Sequence, residues 1–358
     1  MGLPELTFSL KKAAETAAVR ISAGVVALIL RDEQGQGVYT VRRESDIPTE
    51  LGTANTAYIR RAMAGYIQTP GAVYLSVIDG EADIADGFKA LGAFNYDYLA
   101  GPADITAADA SALAELVKER RRGRYTGKAV LPGTAANSEG VVNFTASGLK
   151  AGSETYTAAQ YASRIAGILA GTPADCSATY APLPELTGVD AMEKPDEAVD
   201  AGKLILLDDG RHVKLGRAVT SKTTLTGGEP ELLKKIKMVA AVDLIRYYAM
   251  TTVEDEYLGK CANSYDNKCV LLSAFADFFA TLEARGVLRS GSGGAELDAE
   301  AIRAYLLDQE PGAEETERIK ALSNTELRKE DTGSVVFLRL YGRVMDAMED
   351  FHITLEAQ

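Results

Sequence analysis

Apolar runs and helical stripes alternate through the first half of the chain. Val25-Val26-Ala27-Leu28-Ile29-Leu30 is unbroken by polar residues, the pattern of a strand buried on both faces. Tyr58, Ile59, Ala62, Met63 and Tyr66 repeat at helical spacing, and Asn55 is placed to cap that helix. Pro70-Gly71 ends it, and Ala72–Ile78 is the next strand. A helix over 82–92, a short strand Tyr96–Ala100, and a helix capped by Thr106 or Asp109 that buries Leu113, Leu116 and Val117 follow. Lys128–Leu131 and Val141–Phe144 are further strands, and Tyr161, Ile165, Ile168 and Leu169 mark a helix ending at Gly171. Such alternation predicts an α/β fold, a mostly parallel sheet with helices on both faces.

The pattern changes after Pro173. Residues 173–200 hold Pro173, Pro182, Pro184 and Pro195 and read as a linker or an ordered loop. Lys203–Leu207 and His212–Leu215 flank Asp208-Asp209-Gly210-Arg211, a hairpin signal. Helices over 231–249, 266–285 and 298–307, a flexible loop Ser290–Gly294 and a strand Ser334–Leu340 describe a smaller C-terminal α+β domain. The expected division is an N-terminal arm 1–22, an α/β domain 23–200, a hairpin and α+β domain 201–349, and a C-terminal strand arm 350–358.

Both ends carry period-two patterns. Leu6, Phe8 and Leu10 alternate with Thr7, Ser9 and Lys11; Phe351, Ile353 and Leu355 alternate with His352, Thr354 and Glu356. Amphipathic strands at chain ends need a surface for their apolar side chains and partners for their backbone groups. Each can pair with an edge of its own domain or be donated to a neighbouring subunit. A ten-residue arm reaches at most ~35 Å when extended, enough to meet another molecule. Spacing alone leaves both options open.

Composition narrows the classes. At 358 residues the chain exceeds one typical core. Net charge is −13, from 51 acids against 38 bases, which disfavours nucleic acid as the main partner. No apolar run approaches the ~20 residues of a membrane span, and MGLPELTFSLKK lacks a signal-peptide core, so folding in the cytoplasm of whatever cell makes it, without membrane insertion, is expected. Cys176, Cys261 and Cys269 are scattered, as reduced thiols are, and with only His212 and His352 a multi-histidine metal site is not expected.

Candidate chemistry thins out on inspection. Gly123-Arg124-Tyr125-Thr126-Gly127-Lys128 is one residue too short for a phosphate loop, continues with Ala129, and precedes a strand rather than a helix. Arg120-Arg121-Arg122 suits a helix C-terminus, with docking to an acidic neighbour as the sharper option. Glu254-Asp255-Glu256 point in different directions on a helix, and His212 sits by a tight turn without a nucleophile. No catalytic, cofactor or metal residues emerge. An α/β enzyme or ligand-binding protein would require a Gly-rich phosphate turn or a polar cluster at the strand ends, and neither is visible.

Several segments together resemble the contractile phage tail sheath proteins, especially the short type of PBSX-like prophage elements and phage-tail-like bacteriocins. They are Gly2-Leu3-Pro4 followed by Arg20–Leu30, Asp209–Arg217 with Thr223-Thr224-Leu225, Thr252–Lys260 with Asn263–Lys268, and Asp346-Ala347-Met348-Glu349 before the terminal strand. The similarity runs through nearly the whole chain in order and is weakest over 145–200. It implies a structural, non-enzymatic subunit that forms stacked hexameric rings in a helical sheath and contracts to drive an inner tube through a cell envelope. It further implies strand exchange through 5–10 and 351–357, contacts with tube, baseplate and tail terminator proteins, and a tube-facing surface near 231–285. Assembly in a bacterial cytoplasm and final residence in a virion tail or released particle also follow from the resemblance.

Overall fold

The apolar run beginning at Val26 forms the centre of a seven-stranded sheet, and its side chains divide by parity. Val26, Leu28 and Leu30 enter one core while Ala27 and Ile29 enter another on the opposite face. In the computed structural model, which describes residues 23–123 and 125–355, strand β1 (Val26–Arg31) pairs in parallel with β3 (Val73–Ile78), Val26 facing Val73 and Arg31 facing Ile78. Its other edge pairs with β4 (Tyr98–Ala100), and β5 (Lys128–Pro132), β6 (Val141–Phe144) and the short β9 (Lys203–Leu204) continue in parallel. An antiparallel strand absent from the sequence reading, β2 (Gly37–Val41), closes the far edge against β3. The order is β2-β3-β1-β4-β5-β6-β9.

Helices cover both faces, as the alternation predicts. On the Leu28 face lie α1 (Thr53–Met63) and α4 (Ala158–Ala170), contributing Tyr58, Ile59 and Ile165. On the Ile29 face lie α2 (Ile84–Ala90) and α3 (Ala107–Arg122), contributing Phe88, Leu113 and Val117. The first pair approaches closely at Gly167, where an added Cβ would sit 2.2 Å from the Ala62 carbonyl oxygen. The buried Tyr58 hydroxyl donates to the Gly101 carbonyl at 2.8 Å, and Ser163 Oγ donates to the Tyr58 carbonyl at 2.8 Å. These two buried hydroxyls are thereby hydrogen-bonded within the protein.

Local details depart from expectation for identifiable reasons. Asn55 lies inside α1, whose N-cap is Gly52; its side-chain amide instead donates to the Arg31 carbonyl at 2.8 Å and Asp32 Oδ2 at 2.9 Å. Thr106 and Asp109 are not alternatives, since Thr106 caps α3 while Asp109 returns a bond to the Thr106 amide. The proline-rich stretch is an ordered loop: Ala178, Ala181, Leu183 and Leu186 are buried in the Leu28-face core, and α5 (Pro195–Asp200) ends the stretch. A small hairpin, β7 (Leu149–Ala151) with β8 (Glu154–Tyr156), precedes α4. The Asp-Gly hairpin forms as β10 (Leu206–Asp208) and β11 (Val213–Leu215), with Asp209 Oδ1 accepting from the Arg211 and His212 amides at 3.0 and 2.9 Å.

The chain divides into two compact units between Tyr247 and Tyr248, and it returns to the first at Asp346. This lies later than the composition change at 200, because Leu206, Val213 and Leu215 pack into the same core as Leu28 and Tyr58. The smaller unit holds 248–345 among the described residues. It contains the end of α6 (Ile236–Thr252), a π-helical turn Val253–Tyr257 and α7 (Tyr265–Ala284). It also holds β12 (Gly294–Leu297), α8 (Ala299–Asp308), α9 (Ala313–Ala321), the short α10 (Asn324–Leu327) and β13 (Leu338–Tyr341). Tyr248 stacks on Phe278 at 3.7 Å between ring centres, and β12 pairs antiparallel with β13.

Within the larger unit, α6 is fastened by buried charge. Asp243 accepts from both Arg121 terminal nitrogens at 3.0 Å and from Lys128 Nζ at 2.8 Å, and Glu139 lies 3.5 Å from Arg121 Nε. All three central side chains are buried. Burial disfavours the charged Arg121, but Asp243 and Glu139 outweigh it and hold its pKa above the ordinary value. Removing one member leaves a charge uncompensated in low dielectric, at a cost of about 3–5 kcal/mol. Asp243→Ala is therefore expected to lower the urea midpoint of the unassembled chain by that equivalent. Arg122→Ala, which breaks only an exposed pair with Glu119, should leave the midpoint near wild type.

Candidate functional site

Doubly wound sheets hold ligands at the carboxyl ends of their strands, where the strand order reverses. Here that point falls between β1 and β4, and the protein fills it with its own side chains. Arg31, at the end of β1, donates to Asp109 Oδ2 at 3.0 Å and lies 3.6 Å from Asp104. A shallow depression of about 590 Å³ nearby is bounded by Asp104, Thr157 and Gln160. The adjoining helix starts are satisfied internally, α3 by Thr106 and Asp109, α4 by Thr157 and Gln160. Among the described residues no group of three or more His, Cys, Asp or Glu is placed to hold a metal ion, and no helix is long and apolar enough to cross a membrane.

A different arrangement stands out where the chain returns to the larger unit. Asp346 Oδ2 lies 2.5 Å from Lys235 Nζ. Glu349 enters a polar socket: its Oε1 accepts from Ser177 Oγ at 2.9 Å and Thr179 Oγ1 at 2.7 Å. Its Oε2 lies 3.6 Å from Lys235 Nζ and 3.8 Å from Arg217 Nε. Asp350 pairs with Arg217. Apart from Ser177, these residues border a cavity of about 810 Å³ that Tyr180, Ile205 and Leu232 also line. Tyr180 takes a positive φ of 59°, a costly conformation for an aromatic residue, and Lys214 Nζ stands 4.4 Å from its ring centre.

Beyond this root the chain emerges into solvent. Phe351, Ile353 and Leu355 are 68%, 86% and 89% exposed, and no strand forms over 351–355. Three apolar side chains at period two are thus uncovered in succession.

A tail sheath protein of Clostridium phage phiCD119 is 31% identical to this chain over 362 residues, covering 99% of each. The chain belongs to the tail sheath protein family. Solved sheath folds agree in architecture. The sheath tail protein of Listeria innocua superimposes with a TM-score of 0.69 at 14% identity, covering 81% of this chain and 93% of that one. That of Desulfitobacterium hafniense gives 0.65 at 15% identity, over 77% and 90%. A chain in the cryo-EM structure of the anti-feeding prophage baseplate gives 0.69 at 11% identity, over 94% of each. No protein-family model matches the sequence. The relatives are structural tail proteins, and this sheath protein is likewise structural rather than enzymatic.

Of the residues singled out as strand arms, Phe351, Ile353 and Leu355 are described and exposed, whereas Leu6, Phe8 and Leu10 lie outside the described residues. The arginine run resolves into separate tasks. Arg120 bonds the carbonyls of Gly92 and Phe94 at 3.1 and 2.9 Å and stacks 4.0 Å over Tyr125; Arg121 is buried on Asp243, and Arg122 is exposed. Lys128, the apparent phosphate-loop lysine, is also committed to Asp243. The socket of Ser177, Thr179, Arg217 and Lys235 was missed from sequence. Its only linear trace is the acidic spacing of Asp346, Glu349 and Asp350.

Titration should reveal that socket. Burial pushes the Asp346 carboxyl up, but the Lys235 hydrogen bond and charge outweigh it and hold its pKa below the ordinary value. Burial likewise works against charged Lys235, and Asp346 and Glu349 more than restore it, raising its pKa. A depressed carboxyl contributes stability above its unfolded pKa of about 3.9 and loses it as pH falls through the folded value; a raised lysine contributes below about 10.4 and loses it as pH rises. Protease protection of 346–350 in the unassembled chain is thus expected to be flat from about pH 5 to 9 and to fall below about pH 4. Protection unchanged down to pH 2 would show that the Lys235 pair does not hold the root.

Proposed function

We propose that this sheath protein is the repeating subunit of a contractile tail, polymerising as stacked hexameric rings around an inner tube and contracting to drive that tube through a target envelope. The observation that carries the reading is the exposed alternation of Phe351, Ile353 and Leu355 directly after a firmly held root. Such a segment satisfies itself by adding to a sheet edge of another molecule, where backbone hydrogen bonds supply affinity and alternate side chains find cover. The two-stranded β12–β13 sheet leaves strand edges of the kind that accept one.

In this reading residues 5–10 and 351–357 exchange between neighbours, and the connectors 11–22 and around Asp350 take up rotation while the rigid units turn. The partners are further copies of the chain, the tube protein, and baseplate and terminator proteins. Assembly takes place in the cytoplasm of the bacterial host, and the particle is a phage tail or a phage-tail-like device.

Negative-stain microscopy and light scattering should separate the full chain from one truncated after Asp350. Tubes or rings are expected from the former and compact monomers from the latter. Equal assembly by both would remove the C-terminal strand from the mechanism.

A further inference from the structure

Residues 346–350 change environment at almost every step. Asp346 pairs with Lys235, Met348 is 86% exposed, the Glu349 side chain is only 7% exposed, and Asp350 pairs with Arg217. From Asp350 to Leu355 every residue is exposed, so Glu349 is the last covered side chain before the arm among the described residues. The socket is assembled from three separated stretches: the proline-rich loop, the segment after β11, and the residue preceding α6. Those stretches are tied together beneath it. Thr179 Oγ1 accepts from the Ala218 amide at 3.0 Å, the Ile236 amide donates to the Ala218 carbonyl at 3.1 Å, and the Thr220 amide donates to the Lys234 carbonyl at 2.9 Å. Two hydroxyls donate to Oε1, a directional hold because hydrogen bonds to an ionised group are roughly twice as strong as neutral ones. Oε2 makes no hydrogen bond and is balanced only by the charges of Lys235 and Arg217 at 3.6 and 3.8 Å.

We propose that Glu349 is the positioning residue of the C-terminal arm, the fixed point through which tension on 351–357 passes into the core of the larger unit. Without it, tension would travel back along the chain toward the β12–β13 strands. The inference rests on the arm-donation reading and adds where the arm is held. Freeing the root would release residues 346–350 as slack, lengthening the arm by up to about 17 Å when extended. A sheath could then still form, but its subunits would be joined by a looser tether.

The test uses the full chain with Glu349→Ala, Glu349→Gln and the triple variant Phe351→Ser, Ile353→Ser, Leu355→Ser. Protease cleavage within 346–350 is read in the unassembled protein, and the urea concentration that dissociates tubes is read after assembly. Glu349→Ala is expected to assemble, to lose protection at the root, and to dissociate at lower urea. Glu349→Gln should fall between it and wild type, because its amide oxygen still accepts the hydroxyl bonds. Wild-type protection and dissociation in Glu349→Ala, beside a triple variant that fails to assemble, overturns the fixed point and leaves arm donation standing. A triple variant that assembles like wild type means the arm bears no tension, and both ideas fall. Should Glu349→Ala lose its helical circular dichroism, Ser177→Ala, which removes one donor to the same oxygen, is read against the same criteria.

Discussion

Asp243 faces Arg121 and Lys128 in a space that excludes water, and the placement of much else follows from that contact. A buried carboxylate with two cations cannot slide, because a small displacement exposes uncompensated charge to low dielectric. It therefore fixes α6 along its axis against α3 and β5. Fixing α6 fixes its first turn, where the Ile236 amide meets the Ala218 carbonyl and Lys235 turns toward Asp346 and Glu349. The placement of Asp346 and Glu349 is thus tied to an ion cluster more than a hundred residues away in sequence.

The sheet around that cluster was largely legible beforehand, for a simple reason. Strands such as Val26–Arg31 are buried on both faces, so an unbroken apolar run betrays them, and Thr106 announces its helix by local capping chemistry. The antiparallel β2 was not legible, because Gly37–Val41 sits on an edge with exposed residues and lacks the strong pattern that burial imposes. The division between units was also hidden. Prolines in 173–200 resemble a linker in composition, yet four apolar residues of that loop fill the main core. Burial of a loop depends on long-range packing that no local window records.

The arm root was illegible in a different way. Its members, Ser177, Thr179, Arg217, Lys235 and Glu349, are ordinary surface residue types scattered over more than 170 positions, and only folding brings them together. The period-two pattern of Phe351, Ile353 and Leu355 was visible because it needs no tertiary context, whereas the socket that holds Glu349 exists only after folding. The same contrast applies to Lys128: its neighbours in sequence suggest a phosphate loop, while its neighbours in space show a buried counter-ion.

Among the described residues the smaller unit begins at Tyr248 and ends at Met345, and the larger unit claims the chain on both sides. In topological terms it is an insertion into a host whose sheet is already complete by Lys203–Leu204. Nothing in the host's strand ladder is interrupted by what lies between those two positions. An insertion of this kind can grow, shrink or be exchanged for another while the host keeps its strand register.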